Sequence, residues 1–565
     1  MMSGILTLAL RNRSASAVFV LALLLVSCFP GSSTSLAQSR LDGVVVAYHP
    51  AAVRAGMNIL EQGGNAVDAG VATAFALAVL DPPSSPLGGG GVMLFYRAGE
   101  KRVHALDFTE VSAAAATPEL YREGGARQPP DTGAPAVAVP GTVAGLVEAL
   151  NRFGSLPLET VLAPAIRHAV EGVPVTPRFR RAIDANLAAL RQRPNFSRIF
   201  LKASGAPYEV GATIRQPELA ETLKAIARDG AAAFYEGAAG QAAAARIQRD
   251  GGTVNLDDLQ SYRPAWRPPV IGGYRGRTVL TVPPPSLGGV ALVGLLHVLE
   301  GYGPDRFHHN SGAYLHLIAE TTKAGMDEML TTLGDPDAGE FPVRRFTSAE
   351  RASAVRRKIS MERAAPAAPA GAAPRTRAHA ATNHVGVLDG EGNAVSMSLT
   401  LGSAFGAKVL VRETGIILNN RMRDFSLPGG SGESGANALN ALGPRTRPAN
   451  GMTPVILLRD DRPELIVGGS GGAQTTGAVL QTILNVVDFR MPLAEAVAAP
   501  RVHAVPDAQC TLEAEVGVSD EAVALLAGRG HAVRRGRLQG AVQAIGVAGR
   551  GITAASDPRK GNTVR

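Results

Sequence analysis

The chain has 565 residues and a formal net charge of +8, with 65 glycines and two cysteines. The length admits several domains and a large core, and two cysteines, Cys28 and Cys510, exclude an internal disulfide framework. A basic balance can serve nucleic acid or anionic membrane, but much of it here sits in Arg351, Arg356, Arg357, Lys358 and Arg363, beside "AAPAAPAGAAP" and without interleaved aromatics. That is the composition of a solvated linker rather than of a nucleic-acid surface.

Arg11 and Arg13 precede the apolar run "AVFVLALLLVSC", too short to span a bilayer comfortably and right for a signal-peptide core. Two cleavage sites compete: "LVSC", which would leave Cys28 as a lipidated first residue, and "SLAQ", with small residues Ser35 and Ala37. Residues 1–37 are therefore expected to be a signal peptide. The mature protein is expected to be exported from a bacterium, periplasmic or anchored as a lipoprotein. Next, "GGNAVDAGVATAFALAVL" has helical apolar spacing and reads as a buried helix, and "PLGGGGVMLFY" as a glycine loop entering a strand. "VAVPGTVAGLVEAL" is a strand, a break and a helix; Ala-rich helices dominate 155–260, with "TVNLDDLQSY" as a capped turn. "GRTVLTVPPPSLGGVALVGLLHVLEGY" is again strand, loop and buried helix. Residues 38–350 thus form one α/β part, and 351–381 a mobile low-complexity linker.

After the linker the texture changes to short strands, "NHVGVL", "AVSMSLTL", "GIILNN", "MTPVILL" and "PELIVGGSGG", making 382–565 a second part. Helices and strands alternating in both parts predict a layered α/β fold. In "TNHVGVLDGEGNAVSMSLT" a hairpin centred on Glu391 pairs positions whose numbers sum to 782, which sets Thr400 opposite Thr382 on one face of the sheet. Threonine is common in strands for packing reasons alone. A linker ending at Ala381 adds another reading: cleavage of Ala381–Thr382 would leave an α-amine beside the Thr382 hydroxyl, a self-contained base and nucleophile.

These segments, with "GIILNNRMRDFS", "RPANGMTPVIL" and "GGSGGAQTTGAVLQ", resemble the γ-glutamyltransferase (γ-glutamyl transpeptidase, glutathione hydrolase) family of N-terminal nucleophile hydrolases over essentially the whole mature chain. The resemblance implies an αββα sandwich made as one precursor that cuts itself into large and small subunits. It implies Thr382 as nucleophile, Thr400 as its hydroxyl partner, Gly471 and Gly472 as oxyanion-hole amides, and Asp424 as holder of the substrate's α-amino group. No cofactor is implied: the partners are a small amide substrate, and water or an acceptor amine. Several positions depart from the family pattern. Thr109 stands in "DFTE" where the family has an arginine gripping the substrate carboxylate; a hydroxyl does not replace a bidentate guanidinium. Arg421 replaces Gln or Glu, Asn450-Gly451 a serine pair, Gly402 an asparagine, and Asn383 the Thr or Ser after the nucleophile. The cutting machinery is kept and the acyl pocket rebuilt. A changed acyl specificity, such as a glutaryl group lacking the α-amine, is the alternative to glutathione-type hydrolysis.

Two rival readings remain. "GGSGG" fits a nucleophile elbow at Ser470, with Asp488 or Asp507 as acid and His503 or His531 as base. An exported, self-cleaving binding protein with little turnover is the other. The sequence has no Walker loop, paired-cysteine pattern or H-E-x-x-H, so neither nucleotide nor metal is expected, and His308-His309 reads as a surface or helix-start pair.

Overall fold

The computed structural model describes residues 43–122, 128–332, 334–366, 380–427, 438–505, 507, 509–549 and 551–560. The expected signal peptide, Cys28 and the "SLAQ" site lie outside the described residues, as does 367–379 of the expected linker.

Two six-stranded antiparallel sheets face each other. The first runs in the order β1 (Val44–Val46), β7 (Ala380–Leu388), β8 (Ala394–Ser403), β2 (Gly90–Arg97), β3 (Arg102–Phe108), β4 (Ala265–Arg267). The second runs β12 (Gly551–Ser556), β11 (Ala541–Ala548), β10 (Arg462–Ser470), β9 (Val455–Arg459), β6 (Arg277–Thr281), β5 (Val270–Tyr274). Val46, Leu94, Tyr96, Leu280, Ile456, Ile466 and Ile545 fill the space between them. Outside the first sheet lies α1 (Ala66–Leu80), every residue buried and its start held by an Asn65–Asp68 capping box. Outside the second lie α2 (Leu287–Glu300) and α4 (Thr475–Val487). The molecule is the expected αββα sandwich.

Strand alternation places the hairpin threonines. In β7, Val385 and Val387 pack toward the helices, as do Val395, Met397 and Leu399 of β8. The alternate residues, Thr382 and His384 in β7 and Ser396, Ser398 and Thr400 in β8, therefore face the second sheet. Gly468 of β10 makes room there: a Cβ on it would lie 2.2 Å from the His384 ring.

Both sheets mix strands from before and after residue 382. Strands β7 and β8 sit between β1 and β2, so a cut before Thr382 would leave two pieces held by central strand pairing. Part of the expected linker is packed rather than loose: α3 (Ala349–Lys358) is helical, started by Ser348, whose hydroxyl accepts from the Arg351 amide. Basic residues Arg356, Arg357 and Lys358 fall in its last turn, where the helix dipole favours them. The strand also starts before the threonine, with Ala381 buried in β7.

Candidate active site

The hairpin register is the predicted one: Thr382 pairs with Thr400. The turn is set by Asp389, whose carboxylate accepts from the Glu391 and Asn393 amides and the Asn393 side chain. Beyond Thr400 the register shifts, and Gly402 takes φ +92° and donates its amide to Thr400 Oγ at 3.1 Å. A Cβ there would meet Asn420 Oδ1 at 2.2 Å, so glycine at this departure is a steric requirement of the local backbone.

The two hydroxyls lie 3.1 Å apart, and Thr400 Oγ also lies 3.3 Å from the Ala381 carbonyl oxygen, to which it donates. Both threonines are buried, yet both line a small solvent-open cleft that Gly402, Arg421, Arg423, Asp424, Asn450, Gly451 and Gly472 also line. A hydroxyl beside a peptide carbonyl, with a second hydroxyl to polarise that carbonyl, is equipped for acyl transfer from the peptide to the threonine oxygen.

Gly471 (φ +130°) and Gly472 (φ +61°) turn the chain from β10 into the short helix that precedes α4. Glycine is needed at the first: a Cβ would lie 2.7 Å from Gly540 Cα. Of the two, Gly472 lines the cleft.

The acyl-pocket residues divide. Asp424 and Arg421 both line the cleft, and Arg421 Nη1 is ion-paired with Asp424. Arg421 Nε also lies 3.4 Å from Glu110 Oε2. Arg421 Nη2 and Asn450 Nδ2 are buried donors with no hydrogen-bond partner among the described residues. Thr109, expected in the acyl pocket, lies elsewhere. It is fully buried with its hydroxyl donated to Asp107 Oδ1 at 2.6 Å, and its carbonyl accepts from Tyr262 and Arg447. It does not line the cleft; its neighbour Glu110 reaches the cleft wall instead, through Arg421. The short hydroxyl simply follows the nearest acceptor.

The sequence reading missed Lys560, whose Nζ donates to the Thr382 carbonyl at 2.7 Å and to Asn383 Oδ1 at 3.2 Å. No spacing signals it, since it stands 178 residues from Thr382. Glu110 was visible only as the last letter of "DFTE".

The elbow reading does not assemble. Ser470 Oγ has no hydrogen-bond partner among the described residues. His531 faces His316 at 2.8 Å, Asp488 accepts from Tyr274, and Asp507 accepts from the Thr511 amide. His316, His531 and Glu320 cluster, but the Lys323 ammonium already lies 2.6 Å from Glu320.

Burial sets the charge states of Glu110 and of two histidines. It pushes the Glu110 carboxyl up to about 7, against the opposing pull of Arg421. It pushes His384 down to about 3 and His49 down to about 4. An unfolded imidazole titrates near 6.5, so the unfolded chain binds more protons below that pH. The stability these histidines confer is complete above pH 6.5 and is lost as pH falls toward 4. Glu110 works in the opposite sense between 4.5 and about 7, one carboxyl against two imidazoles. The melting temperature is therefore expected to fall between pH 7 and pH 4.5; an unchanged value would contradict this account.

The sequence profile of Gamma-glutamyltranspeptidase matches residues 52–565. The chain is 35% identical over 534 residues to the glutathione hydrolase proenzyme of Escherichia coli (strain K12), covering 92% of this chain and 90% of that protein. It is 36% identical over 513 residues to the Acylase ACY 1 proenzyme of Pseudomonas sp. (strain SE83), covering 89% of each. The crystal structure of cephalosporin acylase from Bacillus halodurans superposes with a TM-score of 0.83 at 29% identity, over 92% of this chain and 95% of that one. Fold, site geometry and likeness agree: the chain belongs to the gamma-glutamyltranspeptidase family of enzymes and has the N-terminal nucleophile hydrolase fold.

Proposed function

We propose that the chain cuts itself at Ala381–Thr382 and then cleaves γ-glutamyl-type amides through an acyl-threonine. The observation that carries this reading is the Thr382–Thr400 hydroxyl pair beside the Ala381 carbonyl. In the first step Thr382 Oγ attacks that carbonyl, the peptide C–N bond breaks and frees the Thr382 α-amine, and the chain ending at Ala381 is left as an ester on Oγ; water hydrolyses the ester, releasing the Ala381 carboxylate and restoring the hydroxyl. In each turnover Thr382 Oγ attacks the substrate carbonyl and its own amine takes the proton. The Gly471 and Gly472 amides receive the oxyanion. Collapse expels the leaving amine, which takes the proton back, and water or an acceptor amine resolves the ester. The reading includes two subunits cut from one precursor. It also includes export, supported by the basic and apolar N-terminal run, with either Cys28 or the site after Ala37 as the processing point.

A specific feature favours a modified acyl group. Asp424 is neutralised by Arg421, and the unpartnered Arg421 Nη2 and Asn450 Nδ2 can donate to a carboxylate. That pocket suits an acyl chain ending in a carboxylate and lacking the α-amine, in keeping with the acylase relatives.

The test is mass spectrometry of the purified protein after brief exposure to γ-glutamyl and glutaryl anilides. A piece comprising residues 382–565, carrying one acyl group on Thr382, is the expected result. A chain cut before Thr382 that forms no adduct with either compound would bring the self-cleaving binding-protein reading to the front, and an uncut chain without adduct would make the hairpin threonine architectural.

A further inference from the structure

Near its C-terminus the chain forms a short turn, Pro558–Lys560, that is tied down on all sides. Arg559 pairs with Glu515 and Asp557 and donates to the Ala499 carbonyl at 2.8 Å. Asp557 also accepts from Arg501 at 2.9 Å and from the Val542 amide at 3.0 Å. This anchoring sends the next side chain, Lys560, back into the molecule. It is buried at 5% exposure, with Nζ 4.8 Å above the Tyr48 ring.

A buried lysine is costly unless its protons are used. Among the described residues no carboxylate lies within ion-pair distance of Lys560; its donors go to the Thr382 carbonyl and to Asn383 Oδ1. Asn383 is one of the positions that depart from the family pattern. It turns its other end toward Asp81 Oδ2 and the Ser84 carbonyl, each at 3.4 Å, which leaves Oδ1 for the lysine.

We propose that Lys560 is a positioning residue for the nucleophile: it clamps the Thr382 carbonyl, and with it the backbone torsion that aims Thr382 Oγ at Thr400 and the acyl carbon. The assignment rests on Thr382 being the nucleophile. Once Ala381 is cut away, Thr382 is a chain end, and chain ends fray unless tied. The carbonyl is the backbone group through which a residue 178 positions away can tie it. Backbone dimensions put the amine and carbonyl oxygen of one residue about 3.5 Å apart, so Nζ stands within about 6 Å of the new α-amine. Burial, and then Arg178, push the Lys560 pKa well down, and a neutral lysine amine still donates.

The test compares Lys560→Met, which keeps the chain length and removes the donors, with Lys560→Arg, which keeps donors, in the full chain. Self-cleavage rate, kcat, KM and melting temperature are read together. Loss of one buried hydrogen bond to the reacting residue is expected to lower kcat and cleavage about tenfold in the methionine variant. KM should stay within about twofold, and the melting temperature should shift by only a few degrees, because relief of the buried amine is offset by two acceptors left without their donor. The arginine variant should recover part of the loss. A methionine variant with parental kcat, or one whose kcat falls only with its melting temperature, would overturn the assignment. Should the methionine variant fail to fold, Lys560→Leu, which also lacks donors, carries the same comparison. Mapping the acyl adduct separates the two readings: an adduct away from Thr382 refutes the nucleophile itself, whereas an adduct on Thr382 with unchanged rates refutes Lys560 alone.

Discussion

Thr382→Ala is expected to give one uncut chain without amidase activity. The hydroxyl removed is both the group that attacks the Ala381 carbonyl and the group that attacks substrate, so one substitution should abolish two events. Loss of a covalent nucleophile costs about 10⁴-fold or more in kcat in hydrolases of this mechanistic type, which here means activity at background. Thr382→Ser keeps an oxygen at the same place and should retain measurable cleavage and turnover. Thr400→Val should sit between them: it removes one hydrogen bond to Thr382 and one to the scissile carbonyl. Each is worth about 1 kcal/mol, which predicts cleavage slowed roughly 10- to 100-fold. Gel electrophoresis and N-terminal sequencing over time distinguish the three variants. Cleavage persisting in Thr382→Ala would remove the nucleophile assignment, whatever the fate of the rest of the site.

Arg421→Gln is expected to move acyl preference toward the γ-glutamyl group. In the parent, Arg421 ties up Asp424 and stands against Glu110 within one buried wall. A substrate α-ammonium entering there meets a guanidinium, which repels it. Glutamine withdraws that charge and frees the Asp424 carboxylate to pair with the ammonium. Hydrogen bonds to charged groups contribute about 1.5–3 kcal/mol, so the ratio of kcat/KM for γ-glutamyl over glutaryl anilide should rise by about 10- to 150-fold. The glutaryl compound should lose rate at the same time, because Arg421 Nη2 no longer reaches its carboxylate. A ratio unchanged by the substitution would mean that Arg421 is wall structure and does not read the acyl chain. The variant also leaves Glu110 without its cationic neighbour, so its carboxyl should be protonated over a still wider pH range.

The hairpin shows how far local pattern reaches. Its turn residues and the strict two-residue alternation of a strand were enough to place Thr400 across from Thr382, and the register is as counted. The buried helix Ala66–Leu80 was legible for a similar reason, an apolar run at helical spacing, while its Asn65–Asp68 capping box emerged only in the structure. The layered α/β class followed from strands and helices alternating on both sides of the linker. The linker itself was read too broadly. Alanine, proline and arginine composition describes a solvated segment, yet residues 349–358 find a helix start at Ser348 and fold. Thr109 was misplaced because a motif position says which residue type is present and not which acceptor its hydroxyl will take.

By itself, then, the sequence determined the features that live within one hairpin or one helix, where the partner is a few residues away and the spacing is visible. It also carried enough shared motif to name a family. Tertiary structure alone decided which distant polar groups meet: Arg421 with Glu110, and Lys560 with the Thr382 carbonyl and Asn383. Those contacts join segments up to 311 residues apart. Their geometry is set by how two sheets stack and where the C-terminal turn is pinned, and no periodicity in the chain encodes that distance.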